Sequence, residues 1–373
     1  MRDLGIGIIG TGFMGRSHAM AYRAAAAILP DVPRTRLVAI ADVDAGAAAR
    51  AAARFGFARH TSDWRDLVSD PAIDAIAITT PNVLHKEMAL AAIAAGKHVH
   101  CEKPLAPTAA DARAMTEAAE AAGVVTQVGF NYLKNPLLGL AREMIAAGEL
   151  GTIHSFRGIH AEGFMADPDV PHAWRLDPSG GPGALGDIGS HAIALARFLL
   201  GPVEGVWADL ETVIRDRPVT HGSRERRPVL VDDIARLTLR FARGCRGSVE
   251  ANWVATGRTM QLAFDVHGSR GALSFTQERF NELLFHRADG DPHHAGYVRI
   301  EAGPQHEPYG HFCVAPGHQL GFNDLKTIEV ADFLRAVAGG PRTGPDFREA
   351  LAVQEVIDAA LVSSREGCWI DVR

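Results

Sequence analysis

Gly10-Thr11-Gly12-Phe13-Met14-Gly15 stands directly after the apolar run Leu4 to Ile9 and opens a stretch of helical character. Glycines at that spacing do three different things. Gly10 permits a tight turn, Gly12 lets the backbone approach a pyrophosphate, and Gly15 lets helix pack closely on strand, while the free N–H groups of the helix start attract the anion. The next apolar run ends at Asp42, an acidic side chain able to accept hydrogen bonds from a ribose diol. A 2′-phosphate there would meet carboxylate repulsion, and Val43 follows with no arginine to compensate. The pattern predicts NAD rather than NADP.

Two further groups offer proton chemistry. Glu102-Lys103-Pro104 follows the strand-like segment His98 to Cys101, which puts Lys103 at the carboxyl end of a strand, where ligands of open parallel sheets bind. Only 5 of the 38 basic residues are lysines, so a lysine here suggests a compact ammonium that donates to a hydroxyl and whose charge responds to burial. Asp187 and His191 are i and i+4 on one helical face. A carboxylate beside an imidazole sets its tautomer and raises its basicity, and such a pair can remove a hydroxyl proton while hydride leaves carbon. A merely stabilising helix pair would have the same spacing, but the apolar neighbours Ala184, Leu185, Ile188, Ala192 and Ile193 predict a buried setting.

Elements of two kinds must hold these groups. Up to about residue 130, strand-like runs (Leu4 to Ile9, Leu37 to Ala41, Ile73 to Thr79, His98 to Cys101, Val124 to Val128) alternate with Ala-rich helical segments (Met14 to Ala27, Ala45 to Phe55, Val83 to Ala95, Ala109 to Ala122). That alternation is the sequence form of βαβ units and a parallel sheet. Beyond it, a helix from Pro136 to Ala147 is followed by period-two runs at Ile153 to His160, Val203 to Ile214, Ile234 to Phe241, Ser248 to Val254, Leu262 to His267 and Ala272 to Thr276. Their short turns predict hairpins and a largely antiparallel sheet, with one apolar helix, Ala184 to Leu200, among them and helices Ile328 to Ala338 and Phe347 to Ser363 at the end. The fold expected is α/β: a Rossmann domain with a parallel sheet over 1–128, then an α+β domain with an open, largely antiparallel sheet over 129–373, for substrate binding and oligomerisation. Outward Trp207, Val213 and Trp253 on the open sheet predict an apolar face that packs in a homo-oligomer, a dimer or tetramer.

Composition narrows the partners. At 373 residues, 47% hydrophobic and 22% charged, the chain reads as a globular protein of two domains, not as a disordered or collagen-like one. A net charge of -6 offers no field for nucleic acid or acidic lipid. Four scattered cysteines fit a reducing compartment, the N-terminal apolar run lacks the flanks of a signal peptide, and no run is long enough to cross a membrane. A cytoplasmic protein with a small-molecule partner is expected.

The glycine loop, Glu102-Lys103-Pro104 and the Asp187-x-x-x-His191 segment, in that order and spacing, resemble the Gfo/Idh/MocA family, named for glucose-fructose oxidoreductase and inositol dehydrogenase. The resemblance implies catalysis by Lys103, Asp187 and His191, and dinucleotide contacts from Gly10, Gly12, Phe13, Met14, Gly15, Asp42, Thr80, Asn82, His85, Glu102 and Lys103. Phe130-Asn131-Tyr132, Trp174-Arg175 and Pro308-Tyr309-Gly310 are similar to members acting on inositols and anhydrosugars, which makes Tyr132, Trp174, Arg175 and His318 the expected substrate shell. Two departures stand out: Pro182 interrupts the glycine run, and Ala194 stands where many members carry Asp, which bears on local packing or substrate choice.

The activity implied is NAD-dependent oxidation of a secondary hydroxyl of a cyclic polyol or pyranose sugar to a ketone. Two alternatives remain: transient use of bound NAD in a hydrolase or lyase cycle, and a non-catalytic dinucleotide-binding sensor. No metal is expected, since His98 with His100 and His293 with His294 lack further ligands at suitable spacing. The Arg-rich segment Arg215 to Pro228 reads as a solvated loop, and Gly303 to Phe322, with His306, Tyr309, His311, Phe312 and His318, as a loop that could line a pocket.

Overall fold

In a computed structural model that describes residues 2–372, the chain runs β1 (Leu4–Ile9), α1 (Phe13–Ile28), β2 (Thr35–Ala41), α2 (Ala45–Phe55), β3 (Arg59–Thr61), α3 (Arg65–Ser69), β4 (Ala75–Ile78), α4 (His85–Ala94), β5 (His98–Cys101), α5 (Ala109–Ala122) and β6 (Thr126–Val128). It continues through α6 (Pro136–Ala146), β7 (Ile153–Ala161), α7 (Ser190–Leu200), β8 (Val203–Glu211), β9 (Asp216–Pro218), β10 (Arg226–Pro228), β11 (Ile234–Phe241), β12 (Arg246–Asn252) and β13 (Gln261–Gly268). The last elements are β14 (Gly271–Thr276), β15 (Glu282–Arg287), β16 (Val298–Glu301), α8 (Phe322–Val337), α9 (Phe347–Glu366) and β17 (Ile370–Asp371).

Two compact units result, and they group the residues differently from a single division at 128/129. The first comprises residues 1–134 and 320–351, the second 135–319 and 352–373. Helix α8 belongs to the first because it lies along α1 and buries Leu325, Ile328, Val330, Phe333 and Leu334, each worth about 1.5–3 kcal/mol when fully withdrawn from water. It begins six residues before the expected Ile328. Gly321 carries no capping side chain, and the signal is instead Asp324, whose carboxylate accepts from the Gly321 N–H at 2.8 Å.

The first unit's sheet is parallel throughout, in the order β3-β2-β1-β4-β5-β6. Its order reverses between β1 and β4, the switch point where doubly wound sheets open a crevice at their carboxyl ends. The second unit carries a nine-stranded sheet, β16-β15-β14-β13-β7-β12-β11-β8-β17, antiparallel except for the pair β7 and β12. Helix α7, with buried Ile193, Leu195, Leu199 and Leu200, packs on this sheet against β7, β12 and β13.

Three local expectations change. The segment 215–228 is a short hairpin of β9 and β10 in which Arg217 is wholly buried, donating to the carbonyls of Met165 at 2.6 Å and Asp167 at 2.8 Å. Trp253 does not face outward: it is buried, with its indole N–H on Asp233 at 2.6 Å. The open face around Trp207 also holds Arg157, Arg236 and Glu250, so it is mixed rather than apolar. Among the described residues no helix is long and apolar enough to cross a membrane, and the four cysteines are unpaired.

Candidate active site

The expected dinucleotide residues gather at the carboxyl ends of β1, β2, β4 and β5. Gly10 has φ +103, and a Cβ there would come within 2.7 Å of the Thr79 hydroxyl, which itself donates to the Ile9 carbonyl at 2.9 Å. A Cβ on Gly15 would meet the Gly10 carbonyl oxygen at 2.1 Å, so helix and strand touch there. Gly12 differs: its Cβ would have open space, at the N-cap of a helix that no side chain caps and whose first turn carries no acid. An anion is the chemical complement of that opening, and the loop therefore fits a dinucleotide pyrophosphate.

Asp42, at the end of β2, accepts from the Thr11 N–H at 2.9 Å and hydroxyl at 2.6 Å through Oδ2, and from the Asp44 N–H at 3.1 Å through Oδ1. The carboxylate thus holds the glycine loop at the carboxyl end of β2. Phe13 is exposed and Met14 half-buried at the loop's end. The Phe13 ring lies 5.4 Å from Phe322 of α8, which also meets Tyr132 at 6.0 Å. Tyr132, expected in the substrate shell, is therefore half-buried against an aromatic row.

His85 joins two strand-end loops. Its Nε2 is 2.9 Å from the Thr80 carbonyl, and its Nδ1 is 3.0 and 3.3 Å from the carbonyls of Pro104 and Leu105. Burial lowers the His85 pKa, against the pull of these carbonyls. Asn82 is buried beside it in sequence, and Lys103 is half-buried.

Glu102 departs from the expectation of a ligand contact, because its carboxylate points into the protein. Oε1 accepts from His18 Nε2 at 2.7 Å and from Lys326 Nζ at 2.9 Å, and Oε2 from the Lys103 N–H at 3.3 Å. The Lys326 ammonium also reaches Glu329 at 2.5 Å, whose Oε1 lies 3.0 Å from His100 Nε2. Burial opposes ionisation of Glu102, but the Lys326 charge and the His18 donor outweigh it and hold the carboxyl well below the usual range. Burial, helped by Lys326, lowers His18 to about 4, so its ring is neutral with Nε2 as donor. A Cβ on Gly129 would fall 2.6 Å from the Glu102 carboxylate, so only glycine leaves room for it. His18, His100 and Glu329 bring ligand atoms within 4.8 Å of one another, a metal-like grouping that the sequence does not announce. The Lys326 ammonium already supplies a cation among them.

In the second unit, Asp187 lies within a π-helical turn, Leu185–Gly189, that leads into α7, so the expected single helix 184–200 is divided. Such wide turns concentrate at functional sites. Three successive N–H groups hold its start: Gly183 and Leu185 donate to the Asp232 carboxylate at 2.8 and 2.7 Å, and Ala184 to the Asp232 carbonyl at 2.9 Å. Burial raises the Asp232 pKa to about 6, against these donors. Arg175, expected to bind substrate, lies on the Trp174 ring at 4.4 Å and donates from Nε to Asp187 Oδ2 at 2.9 Å. His191 is buried in the first turn of α7, its ring centroid 5.6 Å from that of His160.

The 303–322 loop is ordered by its own side chain. Tyr309 is wholly buried, donating to the Ala315 carbonyl and accepting from the Gln319 N–H, both at 3.0 Å, while His318 is exposed. Sequence reasoning passed over His18, His160, Asp232, Phe322, Lys326 and Glu329. Only Lys326 carried a signal, being another of the few lysines.

Residues 4–130 match the oxidoreductase family model with an NAD-binding Rossmann fold, and residues 139–274 match the GFO/IDH/MocA C-terminal domain. The chain is 40% identical to levoglucosan dehydrogenase of Pseudarthrobacter phenanthrenivorans, over 100% of this chain and 99% of that protein. It is 27% identical to scyllo-inositol 2-dehydrogenase (NAD(+)) of Bacillus subtilis, over 96% and 94%. Among solved structures, levoglucosan dehydrogenase in complex with NADH and levoglucosan matches with a TM-score of 0.95 at 40% identity, covering 100% of each chain. An inositol dehydrogenase homolog from Azotobacter vinelandii, complexed with NADH and myo-inositol, matches at 0.82 and 25%, covering 99% and 98%.

Proposed function

Because the chain belongs to the GFO/IDH/MocA oxidoreductase family, we propose that it oxidises a secondary hydroxyl of an anhydrosugar such as levoglucosan, or of a related pyranose or cyclic polyol, to the ketone. It is an NAD-dependent oxidoreductase acting on CH–OH groups. The observation that carries the substrate class is the match to levoglucosan dehydrogenase over the whole length of both chains.

NAD, when bound, supplies the hydride acceptor. The glycine loop holds its pyrophosphate, Asp42 its ribose, and Thr80, Asn82 and His85 line the neighbouring strand ends. His191 takes the hydroxyl proton and later releases it to solvent. Asp187 balances the imidazolium, and Arg175 keeps the Asp187 carboxylate oriented while Trp174 carries the guanidinium. Lys103 donates to the reacting oxygen, and Glu102 acts behind it as a positioning residue through the Lys103 N–H. Tyr132, Trp174, Arg175 and His318 complete the polar shell, and the open sheet of the second unit makes a homo-oligomer. The unpaired cysteines suit a reducing compartment, the cytoplasm.

The test is NADH formation over levoglucosan, inositols, monosaccharides and glycosides. Net NADH with an anhydrosugar or polyol is the expected result; turnover of sugar without net NADH would reject a dehydrogenase.

A further inference from the structure

His160 sits on β7 beneath the turn that carries Asp187. Its Nδ1 lies 2.9 Å from the carbonyl oxygen of Ile188, and its Nε2 lies 2.9 Å from Oε1 of Glu162. A carbonyl oxygen only accepts, so Nδ1 is the donor in the bond to Ile188. The ring is buried and its partner Glu162 about one-fifth exposed, so the carboxylate links a buried donor to the edge of solvent.

The position is exact in backbone terms. Ile188 follows Asp187 and precedes His191 by three residues, within the π-turn and its junction with α7. On β12, the residue paired with His160 is Ala251. The Ala251 Cβ lies only 3.1 Å from where a Cβ on Gly189 would be, so the turn rests on the sheet at this pair. Asp232 holds the amide end of the turn and His160 the carbonyl end. A wide turn lacks the regular ladder that stiffens an α-helix, and its shape depends on such outside partners.

We propose that His160, oriented by Glu162, is a positioning residue for the oxidation: by holding the Ile188 carbonyl it fixes the turn that sets Asp187 against His191. The inference rests on the roles given above to Asp187 and His191. Displacement of a reacting group by an ångström is enough to cost about 100-fold in rate, so loss of this one bond acts on the chemical step rather than on ligand affinity.

The experiment compares His160→Phe, which keeps a ring but no donor, His160→Asn, whose amide can replace Nδ1, Glu162→Gln, and His191→Ala as a control. His160→Phe is expected to lower kcat about 10- to 100-fold with KM for the sugar within about twofold, and to raise the primary deuterium isotope effect. His160→Asn should recover at least about fivefold of that loss, and Glu162→Gln should lose about threefold. Hydrogen exchange at the amides of 185–191 should quicken in His160→Phe whether or not a sugar is turned over. Unchanged kcat, equal impairment of the Phe and Asn variants, or unchanged exchange overturns the proposal. If His160→Phe does not fold, Glu162→Gln decides by the same measurements. Persistent turnover in His191→Ala instead rejects the reading of the site, and its loss beside normal His160 variants rejects only the positioning role.

Discussion

Lys326 and Glu102 are 224 residues apart in the chain and 2.9 Å apart in the fold. Glu329 completes the group, so a single buried ammonium faces two buried carboxylates behind the loop that carries Lys103. Burial opposes the Lys326 charge, yet the two carboxylates raise its pKa above the ordinary value.

Lys326→Met should therefore destabilise the first unit by about 3–5 kcal/mol, the cost of leaving buried charge unpaired. Both carboxyls are depressed in the unmodified chain, so their stabilisation is present above their unfolded values and lost as pH falls through the folded ones. In the variant burial is opposed only by the His18 and His100 contacts, the carboxyls take up protons more readily, and the gap in denaturant midpoint should narrow between neutral pH and pH about 5. Adding Glu329→Gln should restore part of the loss. A midpoint unchanged by Lys326→Met would exclude this account.

Asp232 behaves in the opposite sense. Its folded pKa, about 6, lies above the unfolded value of 3.8, so the folded state takes up a proton first as pH drops. That adds stability as pH falls from 7 toward 4, at most about 3 kcal/mol. The advantage of the unmodified chain over Asp232→Asn should grow over that range. A gap constant with pH would show that Asp232 does not titrate there.

Lys103→Ala and His191→Ala should each lower kcat by about two to four orders of magnitude. NADH affinity, read by fluorescence titration, should survive in His191→Ala. Near-normal turnover in either variant removes the corresponding role.

NAD should be preferred over NADP by at least about tenfold, since one partly desolvated charge contact is worth a kcal/mol or more. Because Asp42 also accepts from Thr11, two substitutions separate its functions. Asp42→Asn keeps an acceptor for the loop and should narrow the preference, whereas Asp42→Ala should raise KM for both cofactors. Equal kcat/KM for NAD and NADP in the unmodified chain would refute the ribose assignment.

Light scattering should give a multiple of 39.9 kDa. Trp207, about one-third exposed beside Arg157 and Arg236, is the residue to change. Trp207→Glu should shift the mass toward the monomer, and a monomer from the unmodified chain at micromolar concentration would end the case for an interface.

What could be read from sequence was whatever a local pattern encodes. The glycine loop, the strand-end Asp42 and Lys103, and the spacing of Asp187 and His191 all sit in short segments whose periodicity also reveals the element beneath them. Lys326, His160 and Asp232 act across long separations, and their roles exist only once the sheets have formed. Lysine scarcity, which singled out Lys103, applied equally to Lys326, but a count cannot tell a ligand-facing ammonium from one enclosed by carboxylates. Trp253 was misplaced for a related reason: alternation assigns a face within a strand, and Trp253 lies just past the end of β12, where the indole turns to Asp233. Arg217 was misjudged because its burial depends on two carbonyls some fifty residues away.

The first unit is assembled from two separated stretches, 1–134 and 320–351. During synthesis its six strands are all made before residue 130, yet the face of α1 that α8 covers, and the Glu102 carboxylate that Lys326 neutralises, must wait almost two hundred residues for their partners. A nascent Rossmann sheet is thus left open to water, or to a chaperone, until α8 has been made. For the same reason a fragment cut at residue 134 carries every expected cofactor motif but leaves His18 and Glu102 without the Lys326 ammonium.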